Sequence, residues 1–183
     1  MTRLTTIDPK AATGKAKTLL DAVQAKLGFT PNMMRAMVAS PAVLDAYLGA
    51  SGALASGTLP AKLREQIALA VAEANGCGYC LSAHSAIGGK LGLGEGEISA
   101  ARGADSADAK TAAALRFAVG LVRSRGRASD ADIEDLRRHG FTDGQIGEIV
   151  ANAALNVFSN YFNMVAGTEV DFPKVMPRMN AAA

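Results

Sequence analysis

The sequence contains no tryptophan, 5% aromatic residues, and only two cysteines and two histidines in 183 residues. With so few rings, it lacks the stacking platforms that single-stranded nucleic acids require. The formal net charge is +2 and is spread along the chain, so no basic block marks a nucleic-acid or membrane surface. No apolar run approaches the ~18 residues of a membrane span. The opening stretch, MTRLTTIDPKAATGKAK, has no apolar core of the kind a secretory signal carries. A cytoplasmic protein without nucleic-acid or membrane partners is therefore expected. Two cysteines also cannot form the disulfide framework of a small secreted fold.

What the sequence does have is concentration. The stretch EANGCGYCLSAHS, Glu73 to Ser85, holds both cysteines and one of the two histidines. Around it nearly every segment reads as helix, because Ala and Leu dominate and caps recur at short intervals. A first helix is expected from about Pro9 to Leu27. A second starts at TPNMMRAMV with Thr30 as cap, and a third at SPAVLDAYLGA with Ser40 as cap. LPAKLREQIALAVAEAN starts near Pro60 and stops at Asn75-Gly76, and CGYCLSAHSAIGGKLGL begins at or just before Cys77. Later helices are expected from Asp108 to Ser124, from the Ser129 cap to Gly140, and from the Thr142/Gln145 capping box to Gly167. GGKLGLGEGE reads as a helix end and a turn, and RSRGR as a solvated helix end. No repeat or low-complexity linker divides these segments, so the expected architecture is a single all-α domain spanning residues 1–183.

On a helix, Cys77 and Cys80 are three residues apart and Cys80 and His84 four, so all three side chains share one face. Both cysteines fall in the first turn, where unpaired N–H groups and the helix dipole favour a thiolate. An imidazole one turn on can take the thiol proton. A carboxylate from the preceding helix completes the set, and hairpin arithmetic offers two. Glu65 lies about 16 Å before the Gly76 turn and comes level with the region just beyond His84, whereas Glu73 comes level with Cys80. Geometry leaves both open. A pair of structural core cysteines, and a zinc site drawing on His139, are the alternatives to a redox site.

Glu65, then Cys77, then the run Cys-x-x-Cys-x-x-x-His resembles the active-site signature of the alkylhydroperoxidase D-like proteins, in the carboxymuconolactone decarboxylase superfamily. LREQIALAVAEANGCGYCLSAH, Leu63 to His84, carries the likeness within a motif region of about residues 60–93. The resemblance implies an all-α helical bundle of that type. It implies that Cys80 is the peroxidatic thiol, Cys77 the resolving one, and His84 with Glu65 the proton relay, so it selects Glu65 over Glu73. It also implies a hydroperoxide substrate, an external dithiol reductant of the lipoyl-protein or thioredoxin kind, and a homo-oligomer, trimer or hexamer. No cofactor and no metal is expected. One departure stands out: where the peroxidase branch has a His before the second cysteine, this chain has Tyr79, a neutral group and a poor base near pH 7. The decarboxylase branch lacks the cysteine pair, which disfavours decarboxylation. Dipole arguments alone favour Cys77 as the nucleophile, since it is nearer the helix start. The His84 spacing and the resemblance favour Cys80. The expected function is a thiol peroxidase cycling through a dithiol and a disulfide, with a general dithiol–disulfide oxidoreductase or a non-catalytic redox-sensing or metal-binding protein as alternatives.

Two further patterns stand outside the motif. Asn152, Asn156, Asn160 and Asn163 align on one helical face, with Ile146, Val150, Val157 and Tyr161 roughly opposite. This face reads either as solvated or as a hydrogen-bonded contact facing the active-site pocket or another subunit. Met33, Met34 and Met37 read as core packing, with an adaptable apolar pocket wall as the alternative.

Overall fold

The computed structural model describes residues 2–178, and among these the chain forms nine α-helices and no strand. They are α1 Gly14–Leu27, α2 Asn32–Met37, α3 Pro41–Ala55, α4 Ala61–Ala74, α5 Gly78–Lys90, α6 Glu95–Arg102, α7 Ala109–Ser124, α8 Asp130–Arg138 and α9 Asp143–Ala166. The all-α expectation holds.

Central to the bundle is α4. Every residue from Gln66 to Glu73 is buried, so this stretch lacks the solvated stripe of a surface helix. Alanines at 68, 70 and 72 keep its girth small, and α5, α6, α7 and α9 all pack on it. Ile67, Leu69 and Val71 are completely enclosed. Burying each stabilises the fold by about 1.5–3 kcal/mol.

Helix ends follow local chemistry. Ser40 precedes Pro41 at the first helical position of α3, as expected. Asp108, Ser129 and Thr142 each accept a hydrogen bond from the backbone N–H three residues on. At α9 the box is reciprocal, because the Thr142 N–H donates to Gln145 Oε1 at 3.2 Å.

Three boundaries differ from expectation. The first helix starts at Gly14 rather than Pro9, because the Asp8 carboxylate accepts the Lys10 N–H at 2.9 Å and closes a turn instead of capping a helix. The second starts one residue late, since the Thr30 hydroxyl donates to Gln24 Oε1 rather than capping α2. The glycine-rich GLGEGE conceals the start of α6. There Glu97 accepts the Gly94 N–H at 2.8 Å, and Glu95 and Glu97 both lie in the first turn, where the dipole favours acids.

The turn between α4 and α5 sets the position of the cysteines. Gly76 takes φ +69°, the left-handed conformation that a Cβ would strain. The Cys77 N–H donates to Ala72 O at 2.9 Å and the Gly76 N–H to Glu73 O at 3.1 Å. This paired closure is a Schellman motif, and it delivers Cys77 directly to the N-cap of α5.

After α9 the chain runs back without helix across α5. The Val175 N–H donates to Ser82 Oγ at 2.9 Å. The Arg178 N–H donates to Glu73 Oε1 at 2.5 Å.

Candidate active site

Cys77 and Cys80 are free thiols, both buried, with sulfurs 2.7 Å apart. Cys77 caps α5, and its sulfur accepts the Cys80 N–H at 3.4 Å. It therefore stands at the helix end rather than within the first turn, and its thiol is spent on Cys80. Donating its S–H to Cys80 Sγ, and then burial, push the Cys77 thiol far above its ordinary range. Cys80 moves the opposite way. The hydrogen bond from Cys77 lowers it most, the His84 charge and the Asn163 amide lower it further against the cost of burial, and it comes down to about 7.

His84 Nδ1 and Glu65 Oε2 are 2.7 Å apart, and each side chain is 18% exposed. Burial works against a charged imidazole here. The Glu65 charge and hydrogen bond outweigh it, with a smaller contribution from Cys80, so the His84 pKa rises. Glu73, the other carboxylate the hairpin offered, is engaged elsewhere. It lies buried in an ion pair with Arg102 Nε at 2.6 Å and also accepts the Arg178 N–H. Of the two, only Glu65 meets the imidazole.

The Tyr79 hydroxyl accepts the Met33 N–H at 3.2 Å, and its ring meets Phe172 edge-on at 5.9 Å. Burial, with the Asp171 carboxylate nearby, holds its pKa well above the ordinary phenol value, so it stays neutral. It forms part of a wall. Among the described residues, no three His, Cys, Asp or Glu side chains gather in a group that could hold a metal ion. His139 is turned to its own helix, Nδ1 lying 2.8 Å from Asp135 O.

The asparagine face of α9 points inward. All four residues are buried, while Val150, Phe158, Tyr161, Met164 and Val165 are exposed. The solvated-face reading is thereby overturned. Asn152 and Asn156 donate to the carbonyls of Glu148 and Asn152, four residues back. The lower pair serves the site. Asn160 Oδ1 accepts from Asn75 Nδ2 at 2.9 Å, which ties α9 to the cysteine turn. Asn163 Nδ2 reaches Cys80 Sγ at 3.3 Å and Met33 Sδ at 3.1 Å. Asn160 Nδ2 and Asn163 Oδ1 remain without hydrogen-bond partners among the described residues.

A pocket of about 530 Å³ opens onto Cys80 and His84, walled by Met33, Met34, Tyr47, Tyr79 and Phe172 among others. Met33 and Met34 thus line it, whereas Met37 is core. A smaller cavity of about 150 Å³ lies behind, sharing Tyr47 and His84 and reaching Glu65. His84 borders both, and Glu65 borders the smaller. Burial, then the charges of Cys80 and Glu65, push the Tyr47 phenol up to about 12, so it is a neutral hydrogen-bond donor beside the sulfur.

Residues 41–124, from α3 to the end of α7, match the model of the carboxymuconolactone decarboxylase family. The solved structures agree with it across nearly the whole chain. The alkylhydroperoxidase AhpD core, an uncharacterized peroxidase-related protein from Ralstonia eutropha JMP134, has a TM-score of 0.82 at 28% identity, covering 93% of this chain and 92% of that one. An uncharacterized peroxidase-related protein from Silicibacter sp. TM1040 has a TM-score of 0.78 at 26% identity, covering 92% and 94%. The debrominase Bmp8 shares the fold alone, with a TM-score of 0.74 at 22% identity over 93% of each chain. No curated protein matches. The chain is thus alkylhydroperoxidase D-like in fold, with peroxidase-related structural neighbours.

Tyr47 and the inward use of Asn160 and Asn163 were missed or left open by sequence reasoning. The spacing of the asparagines was the available signal for α9. Nothing in the local sequence around Tyr47 marks it, because α3 reaches the site only through tertiary docking.

Proposed function

We propose that this protein is a thiol peroxidase that reduces hydroperoxides through Cys80. The observation that carries the reading is two polar pairs at one pocket, Cys77–Cys80 and His84–Glu65, with a thiol near pKa 7 whose value the His84 charge helps to lower. The Cys80 thiolate attacks the terminal oxygen of a hydroperoxide ROOH, the O–O bond breaks, and a sulfenic acid forms on sulfur. The departing alkoxide takes a proton from His84, held protonated by Glu65, and leaves as the alcohol. The Cys77 sulfur then displaces the sulfenic oxygen, which leaves as water with the Cys77 proton and the proton on that oxygen. A Cys77–Cys80 disulfide remains, and an external dithiol reduces it by exchange and is itself oxidised to a disulfide. His84 recovers its proton from solvent.

Both sulfurs lie below the surface, Cys77 at 1% and Cys80 at 3% exposure. A small peroxide reaches Cys80 through the pocket, but the face of a folded protein does not. This disfavours a general oxidoreductase acting on protein disulfides, and it favours a slender reductant such as a lipoyl arm over a thioredoxin surface. The exposed apolar residues of α9 form a contiguous face suited to a second copy of this chain, so a homo-oligomer is part of the reading.

The test is peroxide consumption with dihydrolipoamide as reductant, in the full chain and in Cys80→Ser and Cys77→Ser. Turnover lost in both variants, with a sulfenic acid trapped on Cys80 in Cys77→Ser, is the expected result. A sulfenic acid trapped instead on Cys77 in Cys80→Ser overturns the assignment of roles.

A further inference from the structure

Hydrogen peroxide needs no apolar wall, yet the path to Cys80 is largely apolar. One wall is a face of α5, where Cys80, Ala83, His84, Ile87 and Lys90 succeed one another at helical spacing. From Cys80 to Lys90 the helix rises roughly 15 Å at 1.5 Å per residue. Phe29, Met33, Met34 and Phe172 form the opposite walls. Methionines and an edge-packed aromatic pair, Phe29 and Phe172 at 5.7 Å, give an adaptable surface with no donors that select a polar substrate.

The pocket ends in charge. Lys26, at the end of α1, and Lys90, at the end of α5, both line it. Neither forms an ion pair with another described residue. The pocket has one carboxylate besides, Asp171, and it is committed to the Asn32 N–H at 2.6 Å. The pocket therefore offers two cations outside any ion pair among the described residues, and Lys90 is separated from the sulfur by an apolar stripe of α5.

Building on the peroxidase reading, we propose that the preferred substrate is an anionic lipophilic hydroperoxide, with its peroxide at Cys80, its hydrocarbon body along α5 and its carboxylate between Lys26 and Lys90. An acid-bearing hydrocarbon matches both the length of the stripe and the sign of its end. A neutral hydroperoxide fills the same walls but leaves the lysines to water.

Binding is measured first without chemistry, by calorimetry with decanoate and its neutral analogue decanamide on the full chain. Decanoate binds about three- to tenfold tighter, the increment expected of two exposed charge pairs, and the preference shrinks as salt screens it. In the double variant Lys26→Gln/Lys90→Gln the two ligands bind alike. In turnover, a fatty-acid hydroperoxide exceeds its methyl ester in kcat/KM, and the double variant loses that ratio. Decanamide binding as tightly as decanoate, a preference that survives the double variant, or no binding of either ligand overturns the proposal. Decanoate binding without turnover of any hydroperoxide, hydrogen peroxide included, refutes the peroxidase reading and leaves the anion pocket standing. Hydrogen peroxide turnover without the acid preference does the reverse.

Discussion

Replacing Asn163 by Leu should separate activity from stability. Asn163 is 3% exposed, and its amide reaches Cys80 Sγ at 3.3 Å while its carbonyl oxygen has no hydrogen-bond partner. Leu is close to Asn in size, so Asn163→Leu removes the donor without opening a large cavity. A hydrogen bond to a charged group is worth about 1.5–3 kcal/mol, and each pKa unit corresponds to about 1.36 kcal/mol. Asn163 ranks behind Cys77 and His84 among the groups that stabilise the thiolate, so the low end applies. The Cys80 pKa should rise by about one unit from its value near 7. At pH 7 the thiolate fraction then drops from about one half to about one tenth, and the peroxide rate falls about fivefold. The assay is the pH dependence of iodoacetamide alkylation, resolved by tandem mass spectrometry. Cys77 stays protonated across the range and does not compete. Thermal stability should hold or increase, because a buried orphan carbonyl is removed. An unchanged alkylation midpoint in a folded variant would refute the reasoning.

The raised His84 pKa and the lowered Cys80 pKa predict a bell-shaped pH profile, rising through about 7 as the thiolate forms and falling where His84 loses its proton. Glu65→Gln removes the main group that raises His84, so the alkaline limb should move to lower pH and the maximal rate should fall about 10–100-fold. An unmoved limb argues against the relay. The same shifts act on stability with opposite signs: the His84 contribution is present at low pH and lost as pH rises through its raised pKa, and the Cys80 contribution is present at high pH and lost as pH falls through about 7. Glu73→Gln is the control. It breaks a buried pair and should cost about 3–5 kcal/mol in urea unfolding, while the alkaline limb stays where it is. Gly76→Ala forces a Cβ into φ +69° and should destabilise by about 1–2 kcal/mol, with slower Cys77–Cys80 disulfide formation after peroxide. Light scattering should give a multiple of 18.8 kDa, and Tyr161→Glu with Val165→Glu should reduce it to the monomer. A monomer mass for the unmodified chain removes the assembly.

What was legible in the sequence was whatever a single helix or turn decides. The Ser40-Pro41 start of α3, the caps at Ser129 and Thr142 and the spacing of Cys77, Cys80 and His84 depend only on residues within one or two turns. Glu65 needed one further step, the hairpin through Gly76, and there arithmetic left Glu73 as a rival. The discrimination came from Arg102 and Arg178, which draw Glu73 away and which no local pattern connects to it. Tyr47, Lys26 and Phe172 come from α3, α1 and the segment after α9, and they meet only because those elements dock around α5. On α9, periodicity showed two faces but not which one faces in. The usual rule buries the apolar face, and here four asparagines share the interior with Ile146, Ile149 and Ala153, so Ile146 lies on the inward side and not opposite them.

That inversion connects the site to the rest of the molecule. Burying Asn is unfavourable unless its amide is satisfied, and Asn152 and Asn156 meet this condition by bonding to carbonyls of their own helix. Asn160 and Asn163 do not, since each keeps one unpartnered polar atom beside Cys80. Orphaned groups of this kind cost about 1–3 kcal/mol each, and a core built only for stability would hold Leu there. The same helix turns Val150, Phe158, Tyr161, Met164 and Val165 outward, where a second subunit can bury them and recover part of the stability its interior forgoes.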